Sequence, residues 1–153
     1  MSKKYNLLIP MAGLGSRFKE AGYKVPKQFI YAKDRQLLDI SLDCIDLHEA
    51  NLIFVVRDDQ MSNYNVDKIL KAKYGADIKI VVTDGLTGGS VCSCLLAQEH
   101  IDNEIPLVIH TLDIEFRPLL TFESLRETKC DGLLLTFKSN SANYSYAFLD
   151  ESG

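Results

Sequence analysis

Tyr5 to Lys27 reads Y-N-L-L-I-P-M-A-G-L-G-S-R-F-K-E-A-G-Y-K-V-P-K, and this stretch limits the chain more than any other. Leu7, Leu8 and Ile9 form an apolar run of the length of a buried strand. The run gives way to Ala12-Gly13-Leu14-Gly15-Ser16-Arg17. Two glycines around one residue permit a tight turn and let a ligand come close to the backbone, because no Cβ stands in the way. Free N–H groups at such a turn, followed by the start of a helix, make a concave site suited to phosphate. Arg17 adds a forked, permanently charged donor. Lys27, after Val25 and Pro26, adds a point charge that a loop can carry back to the same place.

Further along, periodicity alternates between strand and helix. Residues 36–47 place Leu38, Leu42 and Ile45 at helical spacing, and 51–57 is a short apolar strand ended by Asp58 and Asp59. Val66, Ile69, Leu70 and Tyr74 repeat with helical period up to Gly75. A strand is expected over 78–82. A well-buried helix over 91–100 and a strand over 106–110 follow, then a short helix within 118–129 and two further strands over 131–138 and 144–149. This order predicts an α/β fold: a doubly wound, mostly parallel Rossmann-like sheet with helices on both faces. Ligands of such sheets sit beyond the carboxyl ends of the strands. Three polar loops follow strands, at 10–17, 83–90 and 110–116, and are expected to converge on one edge.

The 153 residues predict one domain with a core of useful size. A formal net charge of −4 argues against a general nucleic-acid or anionic-membrane surface, yet leaves room for a local cationic cluster around one nucleotide. No apolar run approaches the ~20 residues of a membrane span. The apolar stretch after Lys3 and Lys4 stops at Pro10, which does not suit a signal peptide, so the expected location is cytoplasmic. Cys44, Cys92, Cys94 and Cys130 lack zinc-like spacing and are read as small buried hydrophobes. The composition allows a homo-oligomer.

Two familiar phosphate-binding loops fit badly. A dinucleotide fingerprint wants a third glycine where Phe18 stands. A Walker loop wants Gly-Lys-Ser/Thr, which is absent. The full set of strand, A-G-L-G-S-R-F, a nine-residue gap and P-K-Q-F at 26–29 instead resembles the nucleotidyltransferase superfamily that couples a nucleoside triphosphate to a sugar phosphate or similar acceptor. Pro26-Lys27-Gln28-Phe29 is similar to the version in cytidylyltransferases and some hexose-1-phosphate enzymes. The resemblance runs through the whole chain but corresponds to the N-terminal, nucleotide-binding part of such an enzyme, so residues 1–153 are expected to lack the acceptor-binding part. It implies that Ala12, Gly13, Leu14, Gly15 and Ser16 line the triphosphate, and that Arg17 and Lys27 neutralise it.

Thr87-Gly88-Gly89-Ser90 heads a second glycine-rich turn, which reads either as flexible glycines with Ser90 as a helix cap or as a loop against a nucleobase. T-G-G-S-V-C-S-C-L-L-A is similar to the base-binding segment of the family, and that resemblance implies base contacts for Thr87, Gly88, Gly89 and Ser90. Asp113 follows the strand over 106–110. A loop aspartate is often merely solvated, but the resemblance implies an Mg²⁺ ligand here, with Glu115 a weaker second candidate. The family has Asn where this chain has His110, which leaves the role of His110 open. Phe116-Arg117-Pro118 fits the surface-polysaccharide branch, and implies an activated precursor for capsule or related polymers. The alternatives are a cytidylyltransferase acting on a non-sugar phosphate, and a nucleotide-binding module without chemistry.

Overall fold

The computed structural model describes residues 3–117 and 119–148. Its frame is a four-stranded sheet in the order β5-β4-β1-β6, in which every neighbouring pair is parallel. The strands are β1 (Tyr5–Pro10), β4 (Ala50–Arg57), β5 (Lys79–Thr83) and β6 (Leu107–Ile109). The two central strands carry the most continuous apolar runs, as strands covered on both faces do. Leu7 pairs in register with Leu52 on one side and Val108 on the other.

Alternation along these strands divides the core into two layers. Leu7, Ile9, Phe54 and Val56 join Leu38 and Leu42 of α2 (Leu37–Leu42) and Val66 and Leu70 of α4 (Val66–Tyr74). Leu8, Ile53 and Val55 meet Cys94 of α5 (Ser90–Leu95) and Ala97 before α6 (Gln98–Ile101). Helices therefore cover both faces, as the alternation predicts. The remaining helices are α1 (Ser16–Glu20), α3 (Asp58–Tyr64) and α7 (Phe122–Glu127). A small antiparallel hairpin, β2 (Tyr31–Ala32) with β3 (Arg35–Gln36), turns through Lys33 at φ +60°. Among the described residues no helix is long and apolar enough to cross a membrane.

Several expectations fail. The helix over 91–100 is two short helices, and it is not well buried: Val91 and Leu95 are 73% and 62% exposed, and only its small residues Ser93, Cys94 and Ala97 reach the core. Asp58 and Asp59, expected to end the strand, also open a helix. Cys92 and Cys130 are exposed, whereas Cys44 and Cys94 are buried as expected. The segments 131–138 and 144–148 form no strand, and Leu134 and Phe137 stand exposed. Their apolar pattern suits a strand, but a strand exists only where its N–H and C=O groups find a ladder partner, and these find none among the described residues. Pro118 and the end of the last expected strand, at Leu149, lie outside the described residues.

Candidate functional site

The loop after β1 begins where Met11 N–H donates to Val55 O at 2.7 Å, the last backbone–backbone bond tying this stretch to the sheet. The backbone N–H groups of Ala12 through Arg17 then donate to no acceptor among the described residues. Gly15 takes φ +61°, a left-handed conformation that a side chain would strain, and lies against Lys27, whose Cβ would be 3.4 Å from a Cβ at position 15. Gly13 has neither a positive φ nor a neighbour within 4 Å of such an atom, so nothing in the fold demands a glycine there. The helix that follows is five residues long, so it is the loop amides, more than a helix terminus, that offer donors. Arg17 is exposed on α1 and forms no ion pair among the described residues.

Beside this loop lies a cleft of about 220 Å³, walled by Gly13, Gly15, Lys19, Lys24, Lys27 and Arg57 among others. Lys19 and Lys24, which no motif singles out, stand with Lys27 around one opening. A larger hollow near Asp39, Asp43 and Asp46 is remote from the three loops in sequence and lined by carboxylates, which suits no phosphate.

The loop after β6 is brought to the first by an ion pair: Lys27 Nζ lies 3.2 Å from Asp113 Oδ2. Burial pushes the Asp113 carboxyl up, but the charge and hydrogen bond of Lys27, with help from its own backbone and the Thr111 side chain, outweigh it and hold the group below the ordinary carboxylate value. Asp113 is therefore ionised at neutral pH. His110 is buried; its Nε2 lies 2.8 Å from Ser41 Oγ and 2.9 Å from Ser41 O. Ser41 Oγ also stands within 3.1 Å of Thr111 O and 3.2 Å of Ile114 O. Desolvation lowers the His110 pKa, against the opposing pull of the Ser41 backbone and Asp113, so the ring is neutral and donates. His110 and Ser41 thus fix the two ends of the turn that carries Asp113. Glu115 turns instead toward Arg117, 3.7 Å away.

The loop after β5 is held mostly by itself. Thr83 Oγ1 donates to Gly85 O at 2.6 Å, and Thr87 Oγ1 lies 3.0 Å from Gly89 O and 2.7 Å from Ser93 Oγ. Gly89 is the residue before the helix, at φ +143°, and Ser90 is the first helical residue, so Ser90 is no cap. The tie to the rest of the edge is Gly85 N–H to Asp58 Oδ1 at 3.4 Å. Thr87, Gly88, Gly89 and Ser90 make no hydrogen bond to the other two loops among the described residues.

The roles of three residues at the end of β4 and the start of α3, Arg57, Asp59 and Gln60, escaped the sequence reading. Arg57 Nη1 donates to Ala12 O at 3.0 Å and Gly13 O at 2.8 Å, and Gln60 Nε2 donates to Met11 O at 3.3 Å. Asp59 holds the guanidinium from two sides, at 2.8 and 2.9 Å. The available signal was an arginine closing an apolar strand at the ligand-facing edge. An Mg²⁺ ion takes one or two carboxylates and completes its shell with phosphate and water. Among the described residues no group of three or more His, Cys, Asp or Glu is gathered for a metal. Asp113, ionised and with its side chain 60% exposed, fits the single-carboxylate form of such a site.

No family model and no curated protein matches the chain. Solved structures do. A nucleoside-diphosphate-sugar pyrophosphorylase from Vibrio cholerae RC9 aligns over 80% of this chain and 52% of its own, at 22% identity and a TM-score of 0.59. A UDP-glucose pyrophosphorylase complexed with UDP-glucose aligns over 74% and 46%, at 20% identity and a TM-score of 0.49. The first likeness shows the fold. The chain has the α/β, parallel-sheet fold of that structure, and spans about half the length of the structures it matches.

Proposed function

We propose that this chain is the nucleotide-binding part of a nucleotidyltransferase, which moves a nucleoside monophosphate from a triphosphate to a phosphorylated small-molecule acceptor. The observation that carries the reading is the free amide run of the first loop beside Lys27, which is itself 3.2 Å from Asp113. Fold, unsatisfied donors, cation and carboxylate occupy one edge.

A phosphate oxygen of the acceptor attacks the α-phosphorus of the bound triphosphate. The bond from that phosphorus to the bridging oxygen of the β-phosphate breaks, and pyrophosphate leaves with the electron pair. The amides of Gly13 through Ser16 hold phosphate oxygens, and Arg17 and Lys27 neutralise the charge that accumulates on the leaving group. Thr87, Gly88, Gly89 and Ser90 line the base. Asp113 would hold Mg²⁺, whose contribution when bound is to offset charge on the phosphate oxygens. The site works by positioning and electrostatics, without a covalent intermediate. A sugar phosphate destined for capsule or another surface polymer is the acceptor we favour; the P-K-Q-F sequence also admits a cytidylyltransferase of a non-sugar phosphate.

The deciding experiment measures pyrophosphate release from CTP, UTP, dTTP, GTP and ATP, each with Mg²⁺ and a panel of sugar and polyol phosphates. The expected result is release with one triphosphate. One other reading is a nucleotide-binding module, which fits the finding that, among the described residues, no three or more His, Cys, Asp or Glu side chains are gathered for a metal. Thermal stabilisation by one triphosphate without pyrophosphate release from the intact protein would establish the module instead.

A further inference from the structure

We propose that Arg57, with Asp59 and Gln60, is a positioning unit that turns the amides of the first loop outward for a triphosphate; this rests on the functional reading above. In a trans peptide the C=O and the next N–H point in opposite directions. Arg57 Nη1 takes Ala12 O and Gly13 O at 3.0 and 2.8 Å. The N–H groups of Gly13 and Leu14 must then face away from Arg57. Gln60 does the same for Ala12 N–H by donating to Met11 O at 3.3 Å. Those are three of the amides left without acceptors among the described residues.

Arg57 does not serve as a phosphate ligand itself. It is 5% exposed, and Nε, Nη1 and Nη2 are all engaged, two of them by the carboxylate of Asp59. Its charge is largely answered by Asp59, so what it gives the loop is direction. The fork also explains why arginine is needed. One planar group reaches two successive carbonyls and a carboxylate at once, which the single ammonium of lysine cannot do. Gln60 Oε1 accepts from Arg57 N–H at 3.2 Å and fixes the strand end from which the guanidinium projects. The neighbouring Asp58 reaches Gly85 in the loop after β5, so the four residues 57–60 touch two of the three loops.

The test uses Arg57→Lys and Asp59→Asn in the intact protein, with inorganic tripolyphosphate as probe because it reads the phosphate loop alone. Arg57→Lys should weaken tripolyphosphate binding about tenfold and Asp59→Asn about threefold. Amide hydrogen exchange supplies a readout that general destabilisation does not mimic: exchange at Gly13 and Leu14 should change while Leu7 and Leu8 in β1 keep their protection. If the parent binds tripolyphosphate and a variant with protected Leu7 and Leu8 binds it within twofold, the positioning role is overturned and the proposed function stands. Should Arg57→Lys fail to fold, Asp59→Asn decides by the same criteria. If the parent binds neither tripolyphosphate nor any of the five nucleoside triphosphates, the functional reading falls, and this inference with it.

Discussion

Two of the three loops at the ligand-facing edge are clamped from outside, and the third clamps itself. The loop after β1 hangs from buried Arg57 and Gln60, and the turn bearing Asp113 hangs from buried His110 and Ser41. The loop after β5 relies on its own hydroxyls and on one long bond to Asp58. Both glycine-rich stretches look alike in sequence, but their mechanics differ. Donors held by a buried frame need no reorganisation when charge develops on phosphate. A loop held by its own exposed bonds opens at little cost and takes its final shape around what it binds. On the proposed function, this division puts rigidity where phosphate charge would be met and adaptability where the base would lie.

The largest expected effects test the rigid side. In the intact protein Lys27→Ala should lower kcat/KM by about 2–4 kcal/mol, roughly 30- to 1,000-fold, and Arg17→Ala and Asp113→Asn should act in the same range. Stability should barely move, because a pair as exposed as Lys27 and Asp113 is worth under about 1 kcal/mol. Full activity in Arg17→Ala would remove that residue from the site. The next effect compares the clamps directly. Arg57→Met leaves two loop carbonyls and Asp59 without their donor and should cost about 2 kcal/mol in urea unfolding. Thr87→Val, in the self-held loop, should cost under about 1 kcal/mol. Equal losses would mean that the two loops are held alike.

The sheet was legible because its strands are continuous apolar runs, and a run such as Leu52 to Val56 has few other places to go. That the loops at 10–17 and 110–116 lie at one edge follows from topology once the strands are parallel, whereas the pairing of Lys27 with Asp113, 86 positions away, does not follow from topology alone. The clamps were not legible. Arg57 and His110 act on residues 45 and 69 positions away, and no local pattern announces a partner at that distance. The tail was misread for a related reason: Gly132 to Phe137 has the composition of a buried strand, but composition does not supply the neighbour that a strand requires. Val91 and Leu95 were misplaced because a helix rich in small and apolar residues looks buried on every side, while only the face of Ser93, Cys94 and Ala97 meets the sheet.

A smaller effect concerns pH and the loop after β6. Because burial lowers the His110 pKa below its ordinary 6.5, the unfolded chain binds a proton there more readily than the folded one. Stability is then complete above about pH 6.5 and falls as pH drops from that value toward the folded pKa. Urea midpoints measured from pH 7.5 downward should show this loss, and His110→Asn should flatten it. An unchanged slope in that variant would place the titrating group elsewhere.

The finest distinction lies within the first loop, between its two glycines. Gly15→Ala forces a side chain into the left-handed region at φ +61° and should cost about 1 kcal/mol. Gly13→Ala meets open space at an ordinary φ, so its thermal midpoint should stay within the scatter of surface substitutions, about 0.5 kcal/mol. The fold therefore gives no reason for glycine at 13, and any reason must come from what approaches the loop. A methyl group there stands on a backbone whose amides face outward, and a phosphate seated on them would meet it. Tripolyphosphate binding should thus fall in Gly13→Ala while stability does not. If binding is unchanged as well, the phosphate sits farther along the loop, nearer Gly15, Ser16 and Lys27.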